Sequence, residues 1–298
     1  MKNIAEIKDL VKESKLVTVA IAGVSEEEIE LAKFGIEQGF AKFVLVGDKE
    51  FIENQLEKNN LLNEEISIFH VDNSHDAPQK VMDLINEGVA DVPMKGQVHT
   101  STFLKAVLDK KNGFFANGRL SQITMFDGFN NELQFLTDCA INIDYSLMVK
   151  KDLIENAVSV AKKFAIKVPK VALLGAVETV SEKMPDTIES AALTQMNRRG
   201  QITDCVVDGP LSLDNAISKK FAKIKKIDSP VAGSANILVA NSLNEANTFS
   251  KALIHYDQRP ACSIIAGTLK PIIMTSRTDR LENKLNTIMT ACFLLKQQ

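Results

Sequence analysis

The run PIIMT delivers Ser276 and Arg277 to what reads as the carboxyl end of a buried strand, and a long helical stretch, RLENKLNTIMTACFLL, begins almost at once. A hydroxyl and a guanidinium held beside a helix N-terminus suit a phosphate or an acyl phosphate carbonyl, because a guanidinium meets phosphate oxygens with two parallel hydrogen bonds. Asp279, with Glu282 three residues later, reads as a capping box for that helix. The plainer alternative is a strand-end arginine that only pairs with a carboxylate. A second strand, turn and helix lie in DVPMKGQVHTSTFLKAVLDK. Here Gly96 permits a tight turn, Thr100 or Ser101 can cap the helix, and Lys95, Lys105 and the exposed N–H groups together make a pocket for phosphate. Taken alone, a Lys-Gly turn before a capped helix is more often ordinary punctuation.

Carboxylates mark two further strand ends. VALLGAVETVSEKMP places Gly175 and Glu178 there, followed by Ser181, Glu182 and Pro185, and CVVDGPLSLDNAIS presents Asp208, Gly209, Pro210 and Asp214. Such groups can be catalytic, although acids ahead of helices are more often caps. Among the histidines only His99 sits on one of these loops. His70, His75 and His255 have no nucleophile nearby in sequence. Signatures for dinucleotide-binding, P-loop, nucleophile-elbow and zincin sites are absent, which lowers those readings.

These loops need elements to position them. Short runs rich in β-branched residues recur at 17–22, 42–47, 67–71, 90–96, 119–126, 171–176, 205–209, 236–240 and 271–276, and amphipathic stretches such as SEEEIELAKFGIEQG, with Ser25 and Glu28 as a capping box, alternate with them. That alternation predicts an α/β protein with mainly parallel sheets, whose ligands sit beyond the carboxyl ends of the strands. The 298 residues exceed one ordinary small domain and suggest two, although no linker or internal repeat marks a boundary. With 45% apolar and 24% charged residues the composition is that of a globular protein. No apolar run reaches the roughly 18 residues of a membrane span, and MKNIAEIKDLVKESK reads as a charged amphipathic helix rather than a signal peptide, so the protein is expected to be cytoplasmic with no membrane partner. Cys139, Cys205, Cys262 and Cys292 lack metal-ligand spacing and read as buried free thiols, with no metal site. A net charge of −3 without a Lys/Arg tract argues against nucleic acid, so positive charge for an anionic ligand must be local.

Taken together, MKGQVHTSTFLKAVL, VSEKMPDTIESAALTQMNRRGQI, CVVDGPLSLDNAIS and PIIMTSRTDRLENKLNTI resemble the phosphate acetyl/butyryltransferase family, its phosphate butyryltransferase branch in particular, over nearly the whole chain. The resemblance implies a two-domain α/β fold like that of isocitrate and isopropylmalate dehydrogenases, with the active site in an interdomain cleft. Domain I would comprise residues 1–112 and 270–298, and domain II, expected to mediate dimerisation, residues 113–269. It implies reversible transfer of a short straight or branched acyl group between coenzyme A and inorganic phosphate. Coenzyme A is then a substrate, no bound cofactor is needed, and the protein is a homodimer or higher homo-oligomer. Arg277 would hold the phosphate and Ser276 the reacting carbonyl. Acetyltransferase relatives carry an Asp base for the thiol seven residues after the Ser; here that position is Asn283, leaving Asp279, Glu178 and His99 as unranked substitutes. Lys105 stands where those relatives have a phosphate-binding Arg. The segments SANILVANSLNEANTFSKAL and RPACSIIAGTLKP depart from the family pattern, and as loops they would line the coenzyme A or acyl pocket. A non-catalytic acyl-CoA or acyl-phosphate binding protein is the alternative reading. A decarboxylating dehydrogenase on this fold is disfavoured by the lack of a clustered Asp metal site.

Overall fold

A computed structural model describes residues 3–12, 16–62, 64–115, 118–129 and 131–297. Among these residues the strands run, in chain order, β1 (Val17–Ala22), β2 (Ala41–Gly47), β3 (Ile66–His70), β4 (Val92–Lys95), β5 (Ser121–Asp127), β6 (Leu133–Thr137), β7 (Lys170–Leu174), β8 (Val206–Leu211), β9 (Ile237–Val239), β10 (Ala261–Ala266) and β11 (Ile272–Met274). The helices that matter below are α1 (Ile4–Lys12), α2 (Glu26–Glu37), α3 (Lys49–Lys58), α4 (Ala77–Asn86), α5 (Thr100–Leu108) and, closing the chain, α6 (Leu281–Lys296). Of the amphipathic N-terminal segment, Ile4–Lys12 is helical, while residues 1, 2 and 13–15 lie outside the described residues.

The chain divides into two compact units. A terminal unit is formed by Ala5–Asn117 and Cys262–Gln298, and a central unit by Met1–Ile4 and Gly118–Ala261. The junctions therefore fall at 4/5, 117/118 and 261/262, where the sequence reading has two, at 112/113 and 269/270.

In the terminal unit the strand order is β3-β2-β1-β4-β11-β10, parallel throughout except for β10, which runs antiparallel to β11. The chain steps outward from β1 to β2 to β3, then returns to the other side of β1 for β4. That reversal is the switch point at which open α/β sheets bind ligands, beyond the carboxyl ends of the strands. The strands β1 and β2 are buried along nearly their whole length, as parallel strands covered on both faces must be. Helix α2 starts as expected: the Ser25 side chain accepts from the Glu27 N–H, and the Glu28 carboxylate reaches back to the Ser25 N–H at 2.9 Å. Helix α6 is buried from Asn283 to Leu294. Within it Thr287 is satisfied internally: its Oγ1 donates to the Asn283 carbonyl and accepts from the Ser263 N–H of β10 at 3.0 Å.

In the central unit the order is β5-β6-β9-β7-β8, with β5 antiparallel to β6 and the rest parallel. One residue from each strand, Phe126, Leu136, Leu238, Ala172 and Leu211, joins a single buried core cluster.

Nine strands fall within or beside the runs read from sequence. Strands β6 and β10 do not, and β10 corrects the expectation of a pocket-lining loop in RPACSIIAGTLKP: its ACSIIA portion is wholly buried sheet. Both are the unrecognised partners of antiparallel pairs, β5 with β6 and β11 with β10. Every residue of each is buried, so neither shows the alternation that marks a half-exposed strand. Cys139, Cys262 and Cys292 are buried free thiols, and burial pushes Cys139 and Cys292 each up to about 12. Cys205 is half-buried and also free. Among the described residues there is no cluster of three or more His, Cys, Asp or Glu able to hold a metal ion, and no helix is long and apolar enough to cross a membrane.

Candidate active site

Three neighbouring strands of the terminal unit end level with one another: Ala22 of β1 is in register with Lys95 of β4, which is in register with Met274 of β11. Their loops, Gly23–Ser25, Gly96–His99 and the turn at Ser276, therefore leave the same carboxyl edge side by side. The first two interlock. Gly96 N–H donates to the Ala22 carbonyl at 3.0 Å and Gln97 N–H to the Gly23 carbonyl at 3.0 Å. That approach requires glycine, because a Cβ on Gly96 would lie 2.0 Å from the Gly23 oxygen.

The Ser276 turn is built by Asp279, whose Oδ2 accepts from the Ser276 N–H at 2.9 Å while its own N–H donates to the Ser276 carbonyl. The Ser276 Oγ lies 3.1 Å from Thr278 Oγ1, Ser276 is half-buried, and Arg277 stands exposed beside it. Helix α6 begins two residues beyond Asp279, with Arg280 at the N-cap and no side-chain cap. The expected Asp279–Glu282 capping box is thus corrected: the Asp279 carboxylate is spent inside the turn that presents the serine, and it has a partner that a free base would lack.

The same holds at α5. Thr100 is its first helical residue and His99, exposed, occupies the N-cap without a side-chain cap bond, so neither Thr100 nor Ser101 is the cap expected. Lys95 is 7% exposed and its Nζ donates to the Gly96 carbonyl at 3.1 Å. Burial holds its pKa below the ordinary lysine value, and the positive charges of Arg277 and Lys284 push it the same way, against a smaller opposing pull from Glu28. Lys105 lies farther along, in the last turn of α5, and lines an open recess with Ser101, Leu104, Leu108 and Asp109. A second recess, of about 330 Å³, opens beside the interlocked loops and is lined by Gly23, Ser25, Gly47, Asp48, Ser74 and Gln97, among others.

Glu178 belongs to the central unit, in the segment after β7. Its Oε1 accepts from Lys225 Nζ at 2.7 Å, from Asn215 Nδ2 at 2.5 Å and from Ser212 Oγ. The Lys225 ammonium, followed by Ser212, holds this carboxyl below its usual range, which makes it a weak proton acceptor and ties it to a local polar lock.

One residue escapes the sequence reading, and a second is read only as half of a capping box. Lys284, in the first turn of α6, is 2% exposed; its Nζ pairs with the Glu27 carboxylate at the start of α2 and lies 3.5 Å from the Arg277 carbonyl oxygen. Glu28 is 4% exposed, and it bonds the Ser25 hydroxyl at 2.6 Å as well as the Ser25 N–H. For Lys284 the available signal was a lysine in the first turn of a helix otherwise fit for burial, and it does not name the partner.

Because Lys95 carries a buried charge at a cost in stability, Lys95→Met should raise the thermal midpoint by a few degrees and weaken phosphate use. Between its lowered pKa and the unfolded value of 10.5 the unfolded chain binds more protons at this site. The stability deficit is therefore largest at neutral pH and shrinks as pH rises through that window. Thermal melts of both proteins from pH 7 to 10.5 would show the gap narrowing; a lower midpoint for the variant at pH 7 would contradict this.

A serine, an arginine and a buried lysine thus stand at the carboxyl edge of parallel strands, where open α/β sheets bind their ligands. The model of the phosphate acetyl/butaryl transferase family matches residues 72–292. The chain is 39% identical to a probable phosphate butyryltransferase of Bacillus subtilis, over 96% of this chain and 97% of that protein. It is 38% identical to the phosphate butyryltransferase of Clostridium beijerinckii, over 98% of each. Among solved structures, a branched-chain phosphotransacylase from Enterococcus faecalis superposes with a TM-score of 0.83 at 28% identity, covering 94% of this chain and 99% of that one. The chain belongs to the phosphate acetyl/butaryl transferase family. It is an acyltransferase, exchanging an acyl group reversibly between coenzyme A and phosphate.

Proposed function

We propose that the acyl group is short, straight or branched, and of about butyryl size, and that Ser276 and Arg277 sit at the reacting centre. The observation that carries this reading is the turn that Asp279 builds, which presents a hydroxyl and a guanidinium together at the carboxyl edge of β11. The butyryl and branched-chain descriptions of the relatives support the choice of acyl size. In the direction of acyl-CoA synthesis the thiolate of coenzyme A attacks the carbonyl carbon of the acyl phosphate. The C–S bond forms, the C–O bond to phosphate breaks, and phosphate leaves on Arg277, whose fork matches its oxygens. The Ser276 hydroxyl donates to the carbonyl oxygen as it takes up charge. Lys95 adds positive charge behind both groups. A thiol with a pKa near 8.5 becomes a better nucleophile in such a field.

The acyl group passes directly between the two substrates, because both bind at once and no enzyme nucleophile is needed. Domain I and domain II correspond in this reading to the terminal and central units. A cytoplasmic location, read from the apolar pattern and the charged N-terminal segment, and assembly as a homodimer or higher homo-oligomer, implied by the family resemblance, belong to the same reading.

Initial rates with both substrates varied test the direct transfer. Intersecting double-reciprocal lines are expected for acetyl-, propionyl-, butyryl- and isobutyryl-CoA, with the four-carbon groups fastest. Parallel lines, or an acyl group trapped on the protein, would contradict it.

A further inference from the structure

The resemblance assigns the thiol base to a position that holds Asn283, and the carboxylates of Asp279 and Glu28 are already engaged. Asp279 is bonded to the Ser276 N–H, and Glu28 to Ser25. What the terminal unit does place behind the Ser-Arg turn is a second buried lysine. Lys284 comes from the first turn of α6, the same helix that follows the turn, and it is paired with Glu27 of α2. It therefore ties three elements together: α2 through the Glu27 carboxylate, α6 through its own backbone, and the turn through the Arg277 carbonyl oxygen at 3.5 Å. An ammonium this buried is costly to keep unless it is paired and used, and replacing such a pair by apolar groups is often neutral or better for stability. Its presence beside Arg277 and Lys95 calls for a reason other than stability.

We propose that Lys284, clamped by Glu27, is a positioning residue of the transacylation site, holding the backbone of the Ser276–Arg277 turn in place and adding a buried positive charge behind the phosphate that Arg277 grips. This rests on the proposed roles of Ser276 and Arg277. Lys284 does not touch the reacting atoms; it acts through Arg277 and Lys95. The charged groups that act on Lys95 are Arg277, Lys284 and Glu28, and Lys284 is one of the two that lower its pKa. Removing Lys284 therefore lets Lys95 keep its proton to higher pH, an effect that a merely structural role would not produce.

The test compares wild type, Lys284→Met, Lys284→Arg and Arg277→Ala in phosphate-dependent release of thiol from butyryl-CoA, with KM for phosphate measured from pH 7 to 10.5. The methionine variant keeps the bulk and loses the charge. It should raise KM for phosphate about tenfold at pH 7, the size of one lost contact to a charged group. It should also move the alkaline rise of that KM to higher pH, and the arginine variant should restore most of the affinity. Should the methionine variant fail to fold because Glu27 is left without its cation, Lys284→Met with Glu27→Gln removes both charges and is read by the same two measurements. Wild-type KM and an unmoved alkaline limb in a folded Lys284→Met protein, with Arg277→Ala crippled, would overturn the role of Lys284 and leave the Ser-Arg site standing. Wild-type behaviour of Arg277→Ala as well would overturn the site and this inference with it.

Discussion

Replacing Arg277 by alanine should lower kcat/KM for phosphate by about 10²–10³, the loss seen when one preorganised donor to a developing charge is removed. Arg277 is exposed at the carboxyl edge of β11, and its neighbours Lys95 and Lys284 are buried, so it is the member of this cationic group best placed to grip an oxyanion from outside. Lysine in its place keeps the charge but loses the two-pronged geometry, so Arg277→Lys should recover only part of the loss. Asp279→Asn separates the site's electrostatics from its architecture. An amide oxygen can still accept from the Ser276 N–H, so that variant should retain the turn and most of the affinity for phosphate. Steady-state rates with phosphate varied check all three, and a fully active Arg277→Ala enzyme would remove the arginine from the reacting centre.

The second large effect is structural. Gly96→Ala should destabilise the protein by at least about 3 kcal/mol, beyond the usual range for overpacking, because the new methyl meets backbone rather than a movable side chain. The obstruction is the Gly23 oxygen at 2.0 Å, with Ile21 Cγ2 at 2.9 Å and the Ala22 oxygen at 3.1 Å. Relief requires the β1 and β4 loops to part, which breaks the Gly96 and Gln97 hydrogen bonds that hold them. Gly88→Ala is the control, because its Cβ would meet nothing within 4 Å and only its φ of +75° is unfavourable, at a cost of about 1–2 kcal/mol. Denaturant melts should rank the two in that order, with phosphate turnover lost in the first. Equal costs would mean that the interlocked loops relax freely.

These sites differ in how far sequence alone reveals them, and the difference follows from range. The Ser-Arg pair and the Lys-Gly turn are local punctuation, a strand ending where a helix begins, and short apolar runs mark the strands that lead to them. The Ser25–Glu28 capping box is equally local and is present. Asp279 looked like another such box because Glu282 lies three residues on, but the turn captured its carboxylate before the helix began at Leu281. Lys284 was invisible for the opposite reason: its partner Glu27 is 257 positions away, and no local pattern records a pairing made by the fold. Glu178 was singled out as a strand-end acid, yet its lock to Lys225 spans 47 positions. Strands β6 and β10 lacked a visible signal because burial on both faces erases alternation.

The most direct measurement is the release of free thiol from butyryl-CoA with and without inorganic phosphate. A transacylase of this family should release thiol only when phosphate is present, at a rate that saturates with phosphate, and form butyryl phosphate in equal amount. Thiol release that ignores phosphate, or no release while butyryl-CoA still binds, would contradict the transfer chemistry assigned to Ser276 and Arg277.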